Sequence, residues 1–134
     1  MIRMSGTYGK TFMINNGMDW IELNSEEKLA EASAASTQLP VLLFKHSTTC
    51  SISQTALNRL ERNWQKEDHT KFKAYYLDLR SYRNLSREIA ERFEVEHQSP
   101  QVLILHHNKA IYNSSHFDIS YDAIKQEIEK VSSN

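Results

Sequence analysis

Two short runs, Val41-Leu42-Leu43-Phe44 and Val102-Leu103-Ile104-Leu105, are apolar at every position. A surface helix or a half-exposed strand would show polar residues at regular intervals. A short run with none reads as a strand covered on both faces. Such strands need helices on both sides of one sheet, and the intervening segments supply them. Ile52, Ala56, Leu57, Leu60 and Trp64 recur at three- and four-residue steps. So do Leu85, Ile89 and Phe93, and then Tyr121, Ile124, Ile128 and Val131. Each set makes an apolar stripe on an otherwise polar helix. Asn24 followed by Glu27 has the spacing of a capping box, which predicts a helix over 25–36. Residues 19–23 and 71–79 are the other strand candidates. VEHQSPQ reads as a loop. HNKA, with Asn108 as its best turn residue, predicts a hairpin returning through 110–116.

The predicted order is β α β α β α β β α. Right-handed crossovers make the early strands parallel and the last one antiparallel. The fold class is therefore α/β, with a mixed central sheet flanked by helices on both faces. At 134 residues the chain suits one domain with one core. All three glycines fall within residues 1–17, together with Arg3 and Lys10 and no acidic residue. That stretch reads as a flexible N-terminal extension, with the folded unit over 18–134.

The formal net charge is −1, and no Lys/Arg block stands out. Nucleic acid and anionic membrane surfaces are therefore not the expected partners. No apolar run has the length of a membrane-spanning helix. Nothing in the composition demands a dimer, and a monomer is expected. The chain has one cysteine, so no internal disulfide is possible, which fits a reducing compartment such as the cytoplasm. Six histidines raise the question of a metal. No pair has the i, i+4 helical spacing of a zinc protease, and His106 and His107, adjacent on a strand, would point to opposite faces. No metal site is expected. Trp20 and Trp64 read as core aromatics, and the charged residues of 59–73 as a solvated helix face and its turn.

The single cysteine has an informative position. Cys50 follows the strand at 41–46 and precedes the helix stripe that begins at Ile52. It therefore lies at the carboxyl end of a strand, where open α/β sheets bind ligands. It also lies at the start of a helix, whose free N–H groups and dipole favour a thiolate. Lys45 and His46 precede the loop and could add positive charge. The hydroxyls of Thr48, Thr49, Ser51 and Ser53 could donate to the sulfur, with Ser53 the best placed, one turn along. The residues alone leave two readings. Cys50 is either a reactive thiol or a small buried side chain. Ser99-Pro100 precedes the second apolar strand, and a cis bond there would mark a tight turn.

Taken together, the strand ending in KHSTTC, the helix opening at the cysteine and SPQV before the later strand resemble the thioredoxin superfamily. FKHSTTC with the SIS after it, HQSPQVL, and YLDLRSYRNLSREIAERF between them are similar to the monothiol bacilliredoxin family over about residues 19–131. The resemblance implies a thioredoxin-like fold and a thiol–disulfide oxidoreductase. It makes Cys50 the nucleophile, with His46, Thr49, Ser51, Ile52 and Ser53 forming the loop that tunes it. Ser99 and Pro100 match the cis-proline loop that binds an extended substrate. No cofactor would be bound. Bacillithiol, a cysteine-containing glycoside, would be a co-substrate, removed from bacillithiolated client proteins. Free bacillithiol or a partner reductase would regenerate Cys50. The family pattern has proline directly after the nucleophile. This chain has Ser51, which adds an N–H and a hydroxyl that proline lacks.

Ser53 stands where a C-x-x-C protein has its second cysteine. Without that partner, the oxidised protein must be a mixed disulfide with another thiol, or a sulfenic acid. A non-catalytic thioredoxin-fold binding or redox-sensing module is the alternative. A thiol peroxidase or arsenate reductase is less suited, because both use a resolving thiol or an arginine aimed at substrate oxygens. No arginine lies between residues 4 and 58.

Overall fold

The computed structural model describes residues 11–13 and 19–132, the first stretch by its backbone alone. Six strands form one sheet: β1 (Thr11–Met13), β2 (Asp19–Glu22), β3 (Val41–His46), β4 (Lys73–Asp78), β5 (Gln101–His106) and β6 (Lys109–Ser115). Their order across the sheet is β1-β2-β4-β3-β5-β6. Four α-helices, α1 (Glu26–Ala35), α2 (Ser51–Asn63), α3 (Arg83–Phe93) and α4 (Tyr121–Ser132), cover its faces, and short 3₁₀ turns occupy Lys66–Thr70 and His116–Asp118.

Strand β3 is central, and all six of its side chains are buried. Strict alternation sends its neighbours to opposite faces. Leu42 and Phe44 join Ala56, Leu57 and Leu60 of α2 and Ile124 and Ile128 of α4. Val41 and Leu43 join Leu29 of α1 and Leu85, Ile89 and Phe93 of α3. The same alternation aims Lys45 at α3 and His46 at α2, and this decides the chemistry described below.

β2 and β3 both run parallel to β4. The reversal of direction, expected at the last strand, comes one strand earlier. β5 is antiparallel to β3, with Gln101 opposite Lys45, and β6 is antiparallel to β5. The loop after α3 returns the chain to the carboxyl edge of β3 before β5 begins. Ser99 and Pro100 therefore reach the edge from which Cys50 leaves.

Part of the predicted extension belongs to the sheet. Thr11–Met13 pair antiparallel with Asp19–Ile21. A three-residue strand is too short to show a period, and it gains its hydrogen bonds from the open edge of β2. Met18 and the rest of 1–17 lie outside the described residues. The cap of α1 is Ser25 rather than Asn24, and Ser25 Oγ accepts from the Lys28 N–H at 3.1 Å. The hairpin turn uses His107 and Asn108, both with positive φ. It docks on the end of α1, where the amides of His107 and Asn108 donate to Ser36 O at 2.9 Å and Ser36 Oγ at 2.8 Å.

The charged residues of 59–73 are not all solvated. Glu61 is wholly buried and its Oε2 accepts from Trp20 Nε1 at 3.0 Å. Asp68 is also buried and accepts from Lys125 Nζ at 2.6 Å, Tyr121 OH at 2.6 Å and the Gln65 N–H at 2.9 Å. Burial alone would raise its pKa, but these donors outweigh it and hold the carboxyl below its ordinary value. Trp20 is fully buried, and Trp64 packs on the same core.

α3 ends on Glu94 in the left-handed region, with φ 57°. A side chain with a Cβ is disfavoured there, and glycine is the usual solution. Glu94→Gly is expected to raise unfolding stability by about 0.5–1 kcal/mol. A urea midpoint that stays put or falls would show that the Glu94 side chain stabilises the turn.

Candidate active site

β3 ends at His46, and Ser47–Thr49 lead to Cys50, which is the N-cap residue of α2. The Cys50 N–H donates to Ser47 O at 3.1 Å, and Cys50 O accepts from the Gln54 N–H at 3.0 Å. The backbone is extended, with φ −106° and ψ 122°, and no side-chain bond caps the helix. The first-turn amides of Ser51, Ile52 and Ser53 are thus left without a side-chain acceptor at the end of the helix that begins at the partly exposed Cys50. Ser51 and Thr49 are exposed, and Ile52 is half-buried.

Ser53 is not available to the sulfur in the expected way. Its side chain is fully buried. Ser53 Oγ accepts from the Ser47 N–H at 3.0 Å and lies 2.6 Å from His46 Nδ1. When His46 Nδ1 is unprotonated, the Ser53 proton is committed to the imidazole. Ser53 therefore ties the helix start to the strand end and fixes the shape of the loop. His46 stacks on Phe44 at 5.6 Å and meets Tyr76 at 5.4 Å. Burial lowers its pKa, and the nearby Asp78 carboxylate acts against this. Burial under the loop thus disfavours the charged form of His46.

Lys45 faces away from the loop. It is fully buried on the α3 side, where Nζ lies 3.1 Å from His97 Nδ1 and 3.5 Å from Ser86 Oγ. Ser86 Oγ is itself 2.9 Å from His97 Nδ1. Desolvation lowers the Lys45 ammonium to about 8. Burial and the Lys45 charge lower His97, leaving Nδ1 able to accept from the ammonium.

The Ser99–Pro100 peptide bond is cis. Pro100 is buried, and its carbonyl accepts from the His116 N–H at 3.0 Å. Gln101 secures the preceding loop. Its Oε1 accepts from the Gln98 N–H at 3.3 Å, and its Nε2 donates to Glu96 O at 3.1 Å.

Between the cysteine loop, the proline loop and α3 lies a cavity of about 550 Å³. Ser47, Thr49, Ser86, His97 and Ser99 contribute to its wall, and so do Arg80, Arg83 and Arg87. The arginine-free span from residue 4 to 58 weakened the case for an arginine in the site, but the fold brings three arginines to the cavity that Ser47 and Thr49 of the cysteine loop line. The signal was present in RSYRNLSRE. Arg80, Arg83 and Arg87 recur at three- and four-residue steps, away from the buried Leu85, Ile89 and Phe93.

Among the described residues, no group of three His, Cys, Asp or Glu side chains is placed to hold a metal ion. His106 and His107 are not on opposite faces. His107 leaves the strand with φ 54°, and the two ring centroids lie 4.0 Å apart. No helix of the described residues is long and apolar enough to cross a membrane.

Known structures share this architecture. A solved chain described as a proposed oxidoreductase with a thioredoxin fold is 28% identical, with a TM-score of 0.69 over 81% of this chain and 92% of its own. Thioredoxin f from spinach chloroplast is 18% identical, with a TM-score of 0.65 over 90% and 99% of the two chains. Thioredoxin O2 from Arabidopsis thaliana in its oxidised state is 14% identical, with a TM-score of 0.64 over 88% and 98%. The fold is thus thioredoxin-like, α/β with a mixed sheet. Residues 21–124 match the family described as monothiol bacilliredoxin BrxC. A thioredoxin-fold oxidoreductase with one cysteine, set at the helix start beside a cis-proline loop, belongs to that monothiol bacilliredoxin family.

Proposed function

We propose that this protein removes bacillithiol from client proteins by thiol–disulfide exchange at Cys50. One observation carries the reading. The partly exposed Cys50 sits at the open N-terminus of α2, and Ser53, where a resolving cysteine would stand, is buried and bonded to Ser47 and His46. Such a site can accept a thiol from a disulfide but cannot close one of its own.

The step moves a disulfide without net oxidation. The Cys50 thiolate attacks the bacillithiol sulfur of the mixed disulfide. A new S–S bond forms to Cys50 as the client S–S bond breaks, and the client leaves as a thiolate that takes a proton from water. A second thiol, from free bacillithiol or a partner reductase, attacks the adduct in turn and restores the Cys50 thiolate. The main chain of Ser99, held beside Pro100, is the surface along which an extended client segment pairs. The chemistry requires a reducing compartment, consistent with a cytoplasmic protein acting as a monomer, with no bound cofactor.

The test is intact-mass spectrometry of a bacillithiolated client incubated with the full chain, with a glutathionylated copy in parallel. The expected result is a client mass that falls by one bacillithiol while the protein gains it at Cys50, faster than with glutathione. Cys50→Ser should leave both masses unchanged. If wild-type Cys50 stays unmodified while iodoacetamide still alkylates it, the transfer reading fails.

A further inference from the structure

The cavity between the cysteine loop, the proline loop and α3 has a one-sided charge balance. Arg80, Arg83, Arg87 and His97 line it, and no aspartate or glutamate does. No carboxylate of a described residue lies within 4.0 Å of any of these three guanidinium groups. A second observation is independent of the surface arginines. Lys45 is fully buried and has no carboxylate partner among the described residues within that distance either. Among the described residues its ammonium is held by Ser86 Oγ and His97 Nδ1, and both residues face the cavity. Buried charges are normally paired, and a lone one is costly. The cavity therefore gathers cations that no carboxylate of its own wall balances.

The position of the cavity says what a balancing anion would be attached to. Ser47 and Thr49 precede Cys50, and Ser99 precedes the cis proline. The cavity thus opens between the residue next to Cys50 and the residue before the cis proline, on the side from which a mixed disulfide at Cys50 would extend toward α3. We infer that the Arg80–Arg83–Arg87–His97 cavity, backed by Lys45, is a recognition subsite for carboxylate groups on the small-thiol half of the mixed disulfide. Arginine forks match carboxylates in bidentate geometry, and the wall supplies three of them. The inference deepens the proposed exchange reaction and rests on it. It adds that the protein selects the small thiol by its negative charge, using α3 and not the cysteine loop.

The test compares two synthetic peptides, each with one cysteine held in a mixed disulfide. One carries mercaptosuccinate and the other carries uncharged 2-mercaptoethanol. Transfer to Cys50 of the full chain is followed by intact mass, and each rate is normalised to that peptide's reaction with dithiothreitol. Wild type should prefer the mercaptosuccinate peptide by about tenfold or more at low salt. Arg83→Gln/Arg87→Gln should erase that preference, bringing the ratio of the two normalised rates to about one. Both residues are exposed, so an unchanged thermal midpoint is expected for the variant. Equal wild-type rates, or a preference that survives in the variant, would overturn the subsite while the exchange reaction stands. If neither peptide transfers, the exchange reading fails, and a titration with succinate followed by amide chemical shifts decides the subsite alone. Shifts at Ser86, Arg83 and Arg87 that vanish in the variant support it, and their absence overturns it. Inorganic phosphate runs beside succinate. Tighter binding of phosphate would assign the cavity to a free oxyanion and overturn the carboxylate reading.

Discussion

Ser53→Cys is expected to change the identity of the oxidised protein. Wild type, after exchange, holds the small thiol on Cys50. In the variant, a second thiol lies one helical turn from Cys50. As a thiolate it would attack the Cys50 sulfur, form an internal disulfide and expel the small thiol. His46 Nδ1, 2.6 Å from the present Ser53 oxygen and with its charged form disfavoured by burial, is placed to take the proton of the attacking thiol. Intact mass reads the difference directly. Wild type gains the mass of the small thiol, whereas the variant becomes lighter by the pair of hydrogens lost. Persistence of the adduct in the variant would show that a side chain at position 53 cannot reach the sulfur. The substitution has a stability cost, because Ser53 Oγ now satisfies the Ser47 N–H and pairs with His46 in a buried place. A thiol is the weaker partner, and a loss of about 1–3 kcal/mol is expected in urea unfolding.

Lys45→Met is expected to stabilise the protein near neutral pH. The folded state holds the Lys45 ammonium at about 8, below its ordinary 10.5, because burial penalises the charged form. The unfolded chain therefore binds the proton more tightly than the folded one. The penalty is fully present below about pH 8, fades as pH rises toward 10.5, and is absent above it. Linkage puts it on the order of 3 kcal/mol. Wild-type stability should thus rise across that window, while the variant, which fills the same space without a charge, should lack this rise. The gap between the two urea midpoints at pH 7 should close near pH 10.5. A variant less stable than wild type at pH 7 would mean that the bonds to Ser86 and His97 outweigh the desolvation. The same substitution should weaken carboxylate selectivity in the cavity. Together these outcomes would place Lys45 among residues kept for recognition at a cost in stability.

Much of the fold is legible locally. The two uninterrupted apolar runs became β3 and β5, and the three helix stripes became α2, α3 and α4 with their apolar residues on the core, except Ile52 and Val131, which stay partly exposed at the helix ends. These patterns are visible because burial imposes a period on nearby residues. Asn108 likewise announced the hairpin by its own tolerance of positive φ. The strand β1 was not legible, since three residues carry no period and its pairing partner is chosen by the open edge of β2. Nor was the burial of Glu61 and Asp68. Their partners, Trp20 for one and Tyr121 and Lys125 for the other, lie more than forty residues away.

The amino-acid sequence by itself determined that this protein has one nucleophilic candidate, Cys50, at a strand-to-helix junction, and that it cannot form an internal disulfide. Those conclusions need only residue identity and local order. The tertiary structure decided which neighbours act on the site. Adjacent residues on a strand face opposite ways, so His46 went to Ser53 under the cysteine loop and Lys45 went to Ser86 and His97 behind α3. The antiparallel return of β5 brought Ser99 and Pro100 to the edge that Cys50 occupies. The packing of α3 put Arg80, Arg83 and Arg87 around a cavity that Ser47 and Thr49 of the cysteine loop also line, thirty or more residues along the chain from Cys50. Charge acts through space, and only the packing of α3 against the sheet settles which charges are near.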